Sequence, residues 1–247
     1  MTRSDLFTMM WKERKSMFRA KGRKSQTALT IIMPLILAIY LPWQEGTAWF
    51  HNAMSFVPMI LIPFILVGIT VPDSFAGERE RHTLATLLAS RLSDRSILVG
   101  KIAASVLFAW SATIAVLLLS AITVNVLHWD GAVMFYSGTV FAADLALSLL
   151  VALMTAGAGV LISMRMDTVQ SAQQALMMIL MIPLVVIQIG GVVALQTMGD
   201  RGQIKAFFEA LELSEVALVV VAVLIIIDLV LLAVAIASFR RARLILS

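Results

Sequence analysis

The sequence has no cysteine, three histidines and few charged side chains. The absence of cysteine excludes a disulfide framework and thiol chemistry. The histidines lie too far apart along the chain to form a metal-ligand motif. Charged residues make up 14% of the chain and hydrophobic residues 60%, against about 25% and about 45–50% in soluble domains. This composition excludes a disordered chain, a nucleic-acid-binding domain and an ordinary soluble enzyme, and it indicates an integral membrane protein.

Six segments are long and apolar enough to cross a hydrocarbon layer of about 30 Å. They predict an all-α membrane protein with a single transmembrane domain over residues 1–247. The predicted spans are residues 25–43, 56–72, 97–127, 133–163, 169–197 and 215–238. Within the fourth span, residues 156–159 (AGAG) predict a face for close helix packing rather than a ligand site.

The basic residues are distributed unequally across the predicted membrane. All Lys and Arg residues except Arg201 and Lys205 lie in the terminal segments, or in or next to the second-to-third and fourth-to-fifth connections. By the positive-inside rule these segments are cytoplasmic. We therefore expect a multi-pass protein of the inner, cytoplasmic membrane with both termini in the cytoplasm. The basic face also suits the anionic headgroups of membrane lipids.

The N-terminal segment 5–20 is predicted to form an amphipathic helix. At 100° per residue, its large apolar side chains share one side and most of its cations share the other. Glu13 and Arg14 interrupt the apolar side. We interpret the segment as a helix that lies in the membrane interface. The alternative is a basic tail that only sets the topology.

The connection at residues 73–96 is longer and more charged than a turn between two spans requires. Three of its leucines form an apolar stripe at helical spacing: Leu84, Leu87 and Leu88. Ser93 is a candidate N-cap for the helix of the third span. We interpret the connection as two short cytoplasmic helices that present an edge to a soluble partner. The alternative is a solvated charge run in which Glu78–Arg81 pair with one another.

Two runs in and next to this connection, residues 76–88 (AGERERHTLATLL) and 93–101 (SDRSILVGK), resemble the signature of type-2 ABC export permeases. Residues 11–19 (WKERKSMFR) resemble the Lys-Glu motif of the elbow helix in that family. Residues 167–174 (DTVQSAQQ) are similar to the opening of the fifth span in its sodium-export and drug-export branches. The sequence departs from the pattern at His82, where glycine is usual, and at Arg91, where proline is usual.

The resemblance implies an elbow helix at 5–20, a cytoplasmic coupling helix within 73–96, and dimers formed with a second copy or with a related permease. The resemblance also implies that each permease seats one ABC ATPase subunit, so that two ATPase copies would bind ATP and Mg²⁺. The residues expected to couple to the ATPase are those of the motif: Gly77, Glu78, Arg79, Glu80, Arg81, Thr83, Leu84 and Leu87. Reversing the charges of Glu78 and Glu80 is expected to uncouple the complex.

The chain has no G-x-x-x-x-G-K-[ST] loop, so we expect no ATP site in it. We also expect it to have no catalytic residue and to bind neither a metal nor a cofactor. No His/Glu or Ser/His set occurs in the spans, which argues against an intramembrane enzyme.

Asp144 and Asp228 interrupt the fourth and sixth spans. Acids within membrane spans are rare and usually face a bundle interior or a cavity, so one interpretation is a site for a cation or a cationic drug. The other is a protonated carboxyl group that hydrogen-bonds to a neighbouring helix. Gln188 is a further candidate for the substrate path. The external segment 200–215 is either a lid over the exit or a loop packed on the dimer.

These patterns favour the membrane subunit of an ABC exporter. One alternative is a secondary transporter driven by an ion gradient through Asp144 and Asp228, although the chain shows no internal repeat typical of that class. Another is a membrane anchor that transports nothing. The sequence leaves the substrate open among sodium, a hydrophobic drug, a peptide and a lipid.

Overall fold

In the computed structural model the chain is helical, and the structure describes residues 3–19, 24–51, 53–83, 86–87, 90–182 and 213–239. These residues contain seven α-helices of more than ten residues and no strand, which confirms the all-α prediction. The helices are α1 (Arg3–Arg19), α2 (Lys24–Glu45), α3 (Phe56–Glu80), α4 (Asp94–Leu127), α5 (Gly138–Ser163), α6 (Val169–Ile182) and α7 (Leu213–Ser238). Two 3-10 helices, Gly46–Phe50 and Ala53–Ser55, connect α2 to α3.

Among the described residues, four helices are long and apolar enough to cross a membrane: α3, α4, α5 and the part Val220–Ser238 of α7. The chain is therefore a multi-pass membrane protein. Its longest helix, α4, has 34 residues and a length of about 51 Å, well beyond the hydrocarbon thickness of about 30 Å. Because Asp94, Arg95 and Lys101 all lie in its first eight residues, the N-terminal end of α4 is the end that extends past the hydrocarbon.

Two further helices occupy predicted spans. The predicted first span lies within α2, which is helical from Lys24 to Glu45 and contains two prolines. The predicted fifth span begins at the same residue as α6, but only Val169–Ile182 of it is described. Residues 183–197 of that span, together with Gln188, lie outside the described residues, as does most of the external segment 200–215. The total of six spans stays a prediction.

Contacts at one end of the bundle establish the relative directions of the helices. The guanidinium group of Arg79, at the end of α3, donates to the carbonyl oxygen of Met164, directly after α5, over 2.9 Å. The rings of Phe75 in α3 and Phe239 directly after α7 make an edge contact with centroids 6.0 Å apart. Since the C-terminal ends of α3, α5 and α7 meet there, these three helices run parallel. The N-terminal end of α4 lies at the same end, so α4 runs antiparallel to them.

Small residues allow α5 to pack closely against its neighbours. A Cβ atom on Gly157 would lie 2.8 Å from Cβ of Leu231 in α7, and one on Gly159 would lie 3.0 Å from Cγ1 of Val71 in α3. A side chain on Gly157 would therefore force α5 and α7 to shift, and one on Gly159 would require Val71 to give by a few tenths of an ångström. The packing face predicted from residues 156–159 is confirmed.

The two ends of the connection at 73–96 are well defined. Ser93 has an extended backbone, and its side chain accepts a hydrogen bond from the amide of Ser96 over 3.2 Å. This confirms the predicted N-cap of α4. At the other end, α3 continues as one helix through Pro72 to Glu80, two turns past the end of the predicted second span. The motif that carries the family resemblance therefore begins on a helix rather than in a loop.

Candidate functional site at the end of α3

The first part of the candidate site is the turn that ends α3. The amide of His82 donates to the carbonyl of Arg79 over 3.0 Å, and the amide of Thr83 donates to the carbonyl of Glu78 over 2.9 Å. These two bonds form a Schellman motif, in which His82 occupies the position that favours glycine. Its φ angle of +56° lies in the left-handed region. His82 stands where the resembled family usually has glycine. The turn explains that preference, because it requires a left-handed backbone at this position.

A buried ionic cluster lies directly behind this turn. Nζ of Lys101 in α4 lies 3.0 Å from Oε2 of Glu78 in α3 and 3.3 Å from Oε1 of Glu13 in α1. The exposed fractions of Lys101, Glu13 and Glu78 are only 1%, 3% and 7%. Nζ of Lys12 completes the set from the surface, 2.8 Å from Oε1 of Glu78. The four charges sum to zero, as a buried cluster requires.

Neighbouring groups hold the Lys101 ammonium group in place. It donates a hydrogen bond to the carbonyl oxygen of Ser74 and lies 5.1 Å from the centre of the Phe75 ring. The preceding residue, Gly100, lets α1 approach α4, since a Cβ atom there would lie 2.7 Å from Cβ of Met9. The ionic cluster and the close contact between Gly100 and Met9 together hold α1 against the ends of α3 and α4.

The two residues after Glu78 fasten the end of α3 to the connection between α5 and α6. Arg79 donates to the carbonyl oxygens of Met164 and Met166 over 2.9 and 3.2 Å. Oε2 of Glu80 accepts a hydrogen bond from the amide of Val169 over 3.1 Å and so satisfies one of the free amides at the start of α6. The carboxylate also lies at the positive end of the α6 dipole.

The last charged residue of the motif makes contacts within α3. Nη1 of Arg81 lies 3.3 Å from Oδ1 of Asp73, and its Nη2 donates to the carbonyl oxygen of Asp73 over 3.2 Å. Both charged groups are partly exposed, so this pair contributes little to stability. Gly77 leaves room for the Arg81 side chain, because a Cβ atom on Gly77 would lie 2.7 Å from Nη2 of Arg81.

The structure separates the predicted coupling residues into buried and exposed groups. Glu78 and Gly77 are buried, and Arg79 is half-buried. Glu80, Arg81 and Thr83 are exposed, as is His82 between them. Leu87 is helical and half-buried, whereas Leu84 and Leu88 lie outside the described residues, so the predicted apolar stripe stays a prediction.

Three residues of the cluster, Lys12, Glu13 and Lys101, are absent from the predicted site. The sequence contained one signal for them, because Glu13 interrupts the apolar side of the α1 pattern. A carboxylate on the buried face of a helix needs a cation from another element. Here that cation is Lys101, the last residue of the second run that carries the family resemblance, to which the sequence analysis gave no coupling role.

Asp144 and Asp228 lie away from the cluster. Both are buried, with exposed fractions of 0% and 4%, and their carboxylate oxygens have no hydrogen-bond partner among the described residues. The contact between Gly157 and Leu231 aligns α5 with α7. Counting back from that contact at 1.5 Å per residue places the two acids about 15 Å apart along the bundle. The structure therefore does not bring them together in one site, and the described residues contain no cluster of three or more His, Asp or Glu side chains.

Comparisons with known proteins identify one family. A family model described as "ABC-2 family transporter protein" matches residues 44–211, which is more than half of the chain. The match includes the whole turn at the end of α3 and Lys101, but it begins after α1. A comparison with curated proteins found no match.

Proposed function

The chain belongs to the ABC-2 family of transporter proteins, and from this premise we propose that it is the permease subunit of an ATP-driven exporter. Two permease copies, or one copy and a related permease, pair in the inner membrane, and each seats one ABC ATPase subunit. ATP and Mg²⁺ bind to the ATPase, since the permease has no P-loop. In this proposal the chain has six spans, the first lying within α2 and the fifth beginning with α6, and both termini are in the cytoplasm.

The turn at the end of α3 is the observation that carries the proposed coupling. Its exposed side chains, from Glu80 to Thr83, are available to a soluble partner. The residues directly behind them bind three other parts of the bundle: Glu78 binds α1 and α4 through the ionic cluster, and Arg79 binds the end of α5. A displacement of the turn by the ATPase would therefore move α1, α3, α4 and the α5–α6 connection together. This is how ATP hydrolysis in one subunit would act on the spans of another.

The buried position of Glu78 changes the meaning of the charge-reversal experiment. Replacing Glu78 by lysine would place two ammonium groups next to each other in a buried cluster, so stability and coupling would be lost together. Contact with the ATPase is better tested at the exposed residues. We assign that contact to Glu80, Arg81, His82 and Thr83. The proposed short coupling helix extends the contact surface to Leu84 and Leu87.

Site-specific photo-crosslinking tests this assignment. The chain is co-expressed with a candidate ABC ATPase, and a photoreactive amino acid replaces His82. A matched variant carries the same group at Phe135, which is exposed in the connection at the opposite end of the bundle. We expect the ATPase to be captured at position 82 and not at position 135. Absence of capture at 82 from a complex that still co-purifies would contradict the contact assignment, and capture at 135 alone would reverse the proposed topology.

The buried acids favour one second candidate function. An unpartnered carboxylate in a membrane span suits a transporter driven by a proton or sodium gradient. Asp144 and Asp228 lie about 15 Å apart along the bundle, counted at about 1.5 Å per helical residue. They would therefore act at two successive depths in the membrane rather than as one site. Uptake of a substrate into vesicles with an imposed gradient and no ATP would favour this function. ATP hydrolysis that no substrate stimulates would instead favour a membrane anchor.

Within the exporter, the same two acids and Gln188 are the candidates for the substrate path. The family description names no substrate, so the sodium-export and drug-export branches stay a prediction. Negative charge at two depths and the absence of a nearby described cation favour a cationic substrate over an anionic one.

A further inference from the structure

A groove runs along the outside of the molecule between α1 and the N-terminal half of α4. Its volume is about 360 Å³, within the range of about 300–1,000 Å³ that is typical of small-molecule sites. Its walls include Met10, Trp11 and Arg14 from α1, and Leu107, Phe108 and Ser111 from α4. Because most of these side chains are apolar, the groove favours an occupant that is mostly apolar.

The groove opens outward rather than into the helix bundle. Phe7 and Trp11 at its α1 edge are 72% and 52% exposed, and Leu107 at its α4 edge is 46% exposed. Large apolar side chains exposed together mark a surface that is covered in the native environment. As α4 is a candidate membrane span, the material next to this surface is the acyl region of the bilayer.

The position of the groove along α4 places it at the membrane boundary. A span of about 20 residues counted back from Leu127 begins near residue 108. Leu107 and Ser111 lie on either side of that point, and the ionic cluster at Lys101 lies about two turns further toward the cytoplasm. The α4 wall of the groove is therefore level with the first acyl carbons, next to the headgroup region.

Two cations lie at the groove, and its described lining contains no acid. The side chain of Arg14 is exposed and forms no ion pair in the described part of the chain. The carboxylate of its neighbour Glu13 points away, into the cluster with Lys101. Nζ of Lys15 lies 4.7 Å from the centre of the Trp11 ring, so a second positive charge borders the groove. An apolar groove with cations at its mouth is complementary to an acyl chain joined to an anionic headgroup.

We propose that this groove is a binding site for one anionic phospholipid of the cytoplasmic leaflet. An acyl chain lies between Trp11 and Leu107, and the phosphate lies at Arg14. The assignment to the cytoplasmic leaflet rests on the proposed topology, whereas binding itself needs neither the ATPase nor a transported substrate. Since α1 is also tied to Glu78 through Glu13 and Lys101, a lipid that orders α1 would act on the same end of α3.

Lipid retention measured by native mass spectrometry tests the site. The full chain, purified in detergent, is incubated with equal amounts of phosphatidylglycerol and phosphatidylcholine that carry identical acyl chains. We expect one phosphatidylglycerol per chain to be retained in preference. Arg14→Gln should lower this retention about fivefold, the loss expected when one basic residue leaves a charged membrane surface. Arg14→Lys should retain most of it, and the phosphatidylcholine signal should change in neither variant.

A second pair of variants tests the acyl chain. Ser111 is exposed, so Ser111→Trp fills the groove without disturbing the interior. Ala115, one turn further along α4, is also exposed but does not line the groove, which makes Ala115→Trp the matched control. Retention of phosphatidylglycerol should fall in Ser111→Trp and stay unchanged in Ala115→Trp. Both variants must first elute as single species with unchanged helical content.

Three results would overturn the proposal. They are equal retention of the two lipids by the natural sequence, unchanged phosphatidylglycerol retention in Arg14→Gln, and complete displacement of the lipid by glycerol phosphate, which would indicate a site for small anions. Since Arg14 is exposed, its variants decide the question even if Ser111→Trp fails to fold. Failure of the lipid site would leave the crosslinking result at position 82 unaffected, so the two proposals can fail separately.

Discussion

Nζ of Lys101 in α4 lies 3.0 Å from Oε2 of Glu78 in α3, in a position that solvent barely reaches. The same ammonium group lies 3.3 Å from Oε1 of Glu13 in α1. One cation therefore joins three helices at the end of the bundle that carries the exposed α3 turn. This arrangement makes the charge of Lys101 a structural requirement, and it connects the proposed coupling surface to α1.

Lys101→Met should destabilise the fold by about 3–5 kcal/mol, since it leaves two buried carboxylates, Glu13 and Glu78, with only the half-exposed Lys12 as a described cation. The free energy of unfolding, measured by denaturation in detergent micelles, checks this. Arg81→Ala is the control, because its pair with Asp73 is partly exposed and should contribute no more than about 1 kcal/mol.

A triple variant tests the cause of that loss. Combining Lys101→Met with Glu13→Gln and Glu78→Gln removes the unpaired charges along with the cation and should recover most of the stability. If Lys101→Met is no more destabilising than Arg81→Ala, the cluster does not hold the helices together.

His82→Gly should raise the free energy of unfolding by about 1 kcal/mol, because a residue with a side chain is strained in the left-handed region. His82→Val should lower it, since a branched side chain fits this region least well. The midpoint of thermal unfolding reports both changes.

Gly131 provides the reverse control for the His82 variants. It has a φ angle of +83° and no atom within 4 Å of an added Cβ, so Gly131→Ala isolates the backbone effect and should destabilise by about 1 kcal/mol. The expected order of stability at position 82, from most to least stable, is Gly, His, Val. Any other order would show that the Schellman turn does not form there.

Gly100→Ala should separate α1 from α4. The added Cβ would lie 2.7 Å from Cβ and 2.8 Å from Cγ of Met9, atoms next to the α1 backbone that cannot swing aside. We expect a loss of about 1–3 kcal/mol in the free energy of unfolding.

Gly68→Ala is the control for Gly100→Ala, because its added Cβ would lie at a similar distance from a neighbouring atom but should not destabilise the fold. Its added Cβ would lie 2.6 Å from Cε of Met177, the free end of a flexible side chain. Met177 can turn away, so the better helix propensity of alanine should leave Gly68→Ala neutral or stabilised by up to about 1 kcal/mol. Equal effects of the two substitutions would argue against the close packing of α1 on α4.

Asp144→Asn should abolish substrate-stimulated ATP hydrolysis in the reconstituted complex while changing the free energy of unfolding by less than about 1 kcal/mol. The amide keeps the shape of the side chain but removes its negative charge, and no described hydrogen bond depends on that charge. Asp228→Asn should behave in the same way.

Asp130→Asn is the control for both acids, because Asp130 is exposed in the connection before α5. It should leave the stimulation unchanged. If the Asp144→Asn complex assembles normally and substrate still stimulates its ATP hydrolysis, Asp144 has a structural role and is not part of the substrate path.

The helices and the charged turn could be predicted from local sequence patterns. Hydropathy over some 20 residues predicts a span, and the side chain of Ser93 before an apolar run predicts an N-cap, because both depend on neighbours in the chain. The length of α3 could not be predicted in this way. Pro72 is a frequent point of helix interruption, but here the ionic cluster and the Arg79 contacts support the helix for two further turns.

The same distinction applies to the site. The sequence by itself determined a multi-span helical protein and located its charged motif at residues 77–83, since span length and charge placement are local properties. The tertiary structure alone decided which of those charges are buried. Glu13, Glu78 and Lys101 are far apart in the chain, and they meet only because α1, α3 and α4 cross at one end of the bundle. No local sequence pattern indicates how packed helices cross. The crossing of α1, α3 and α4 therefore decides which residues of the motif are buried in the ionic cluster and which are exposed.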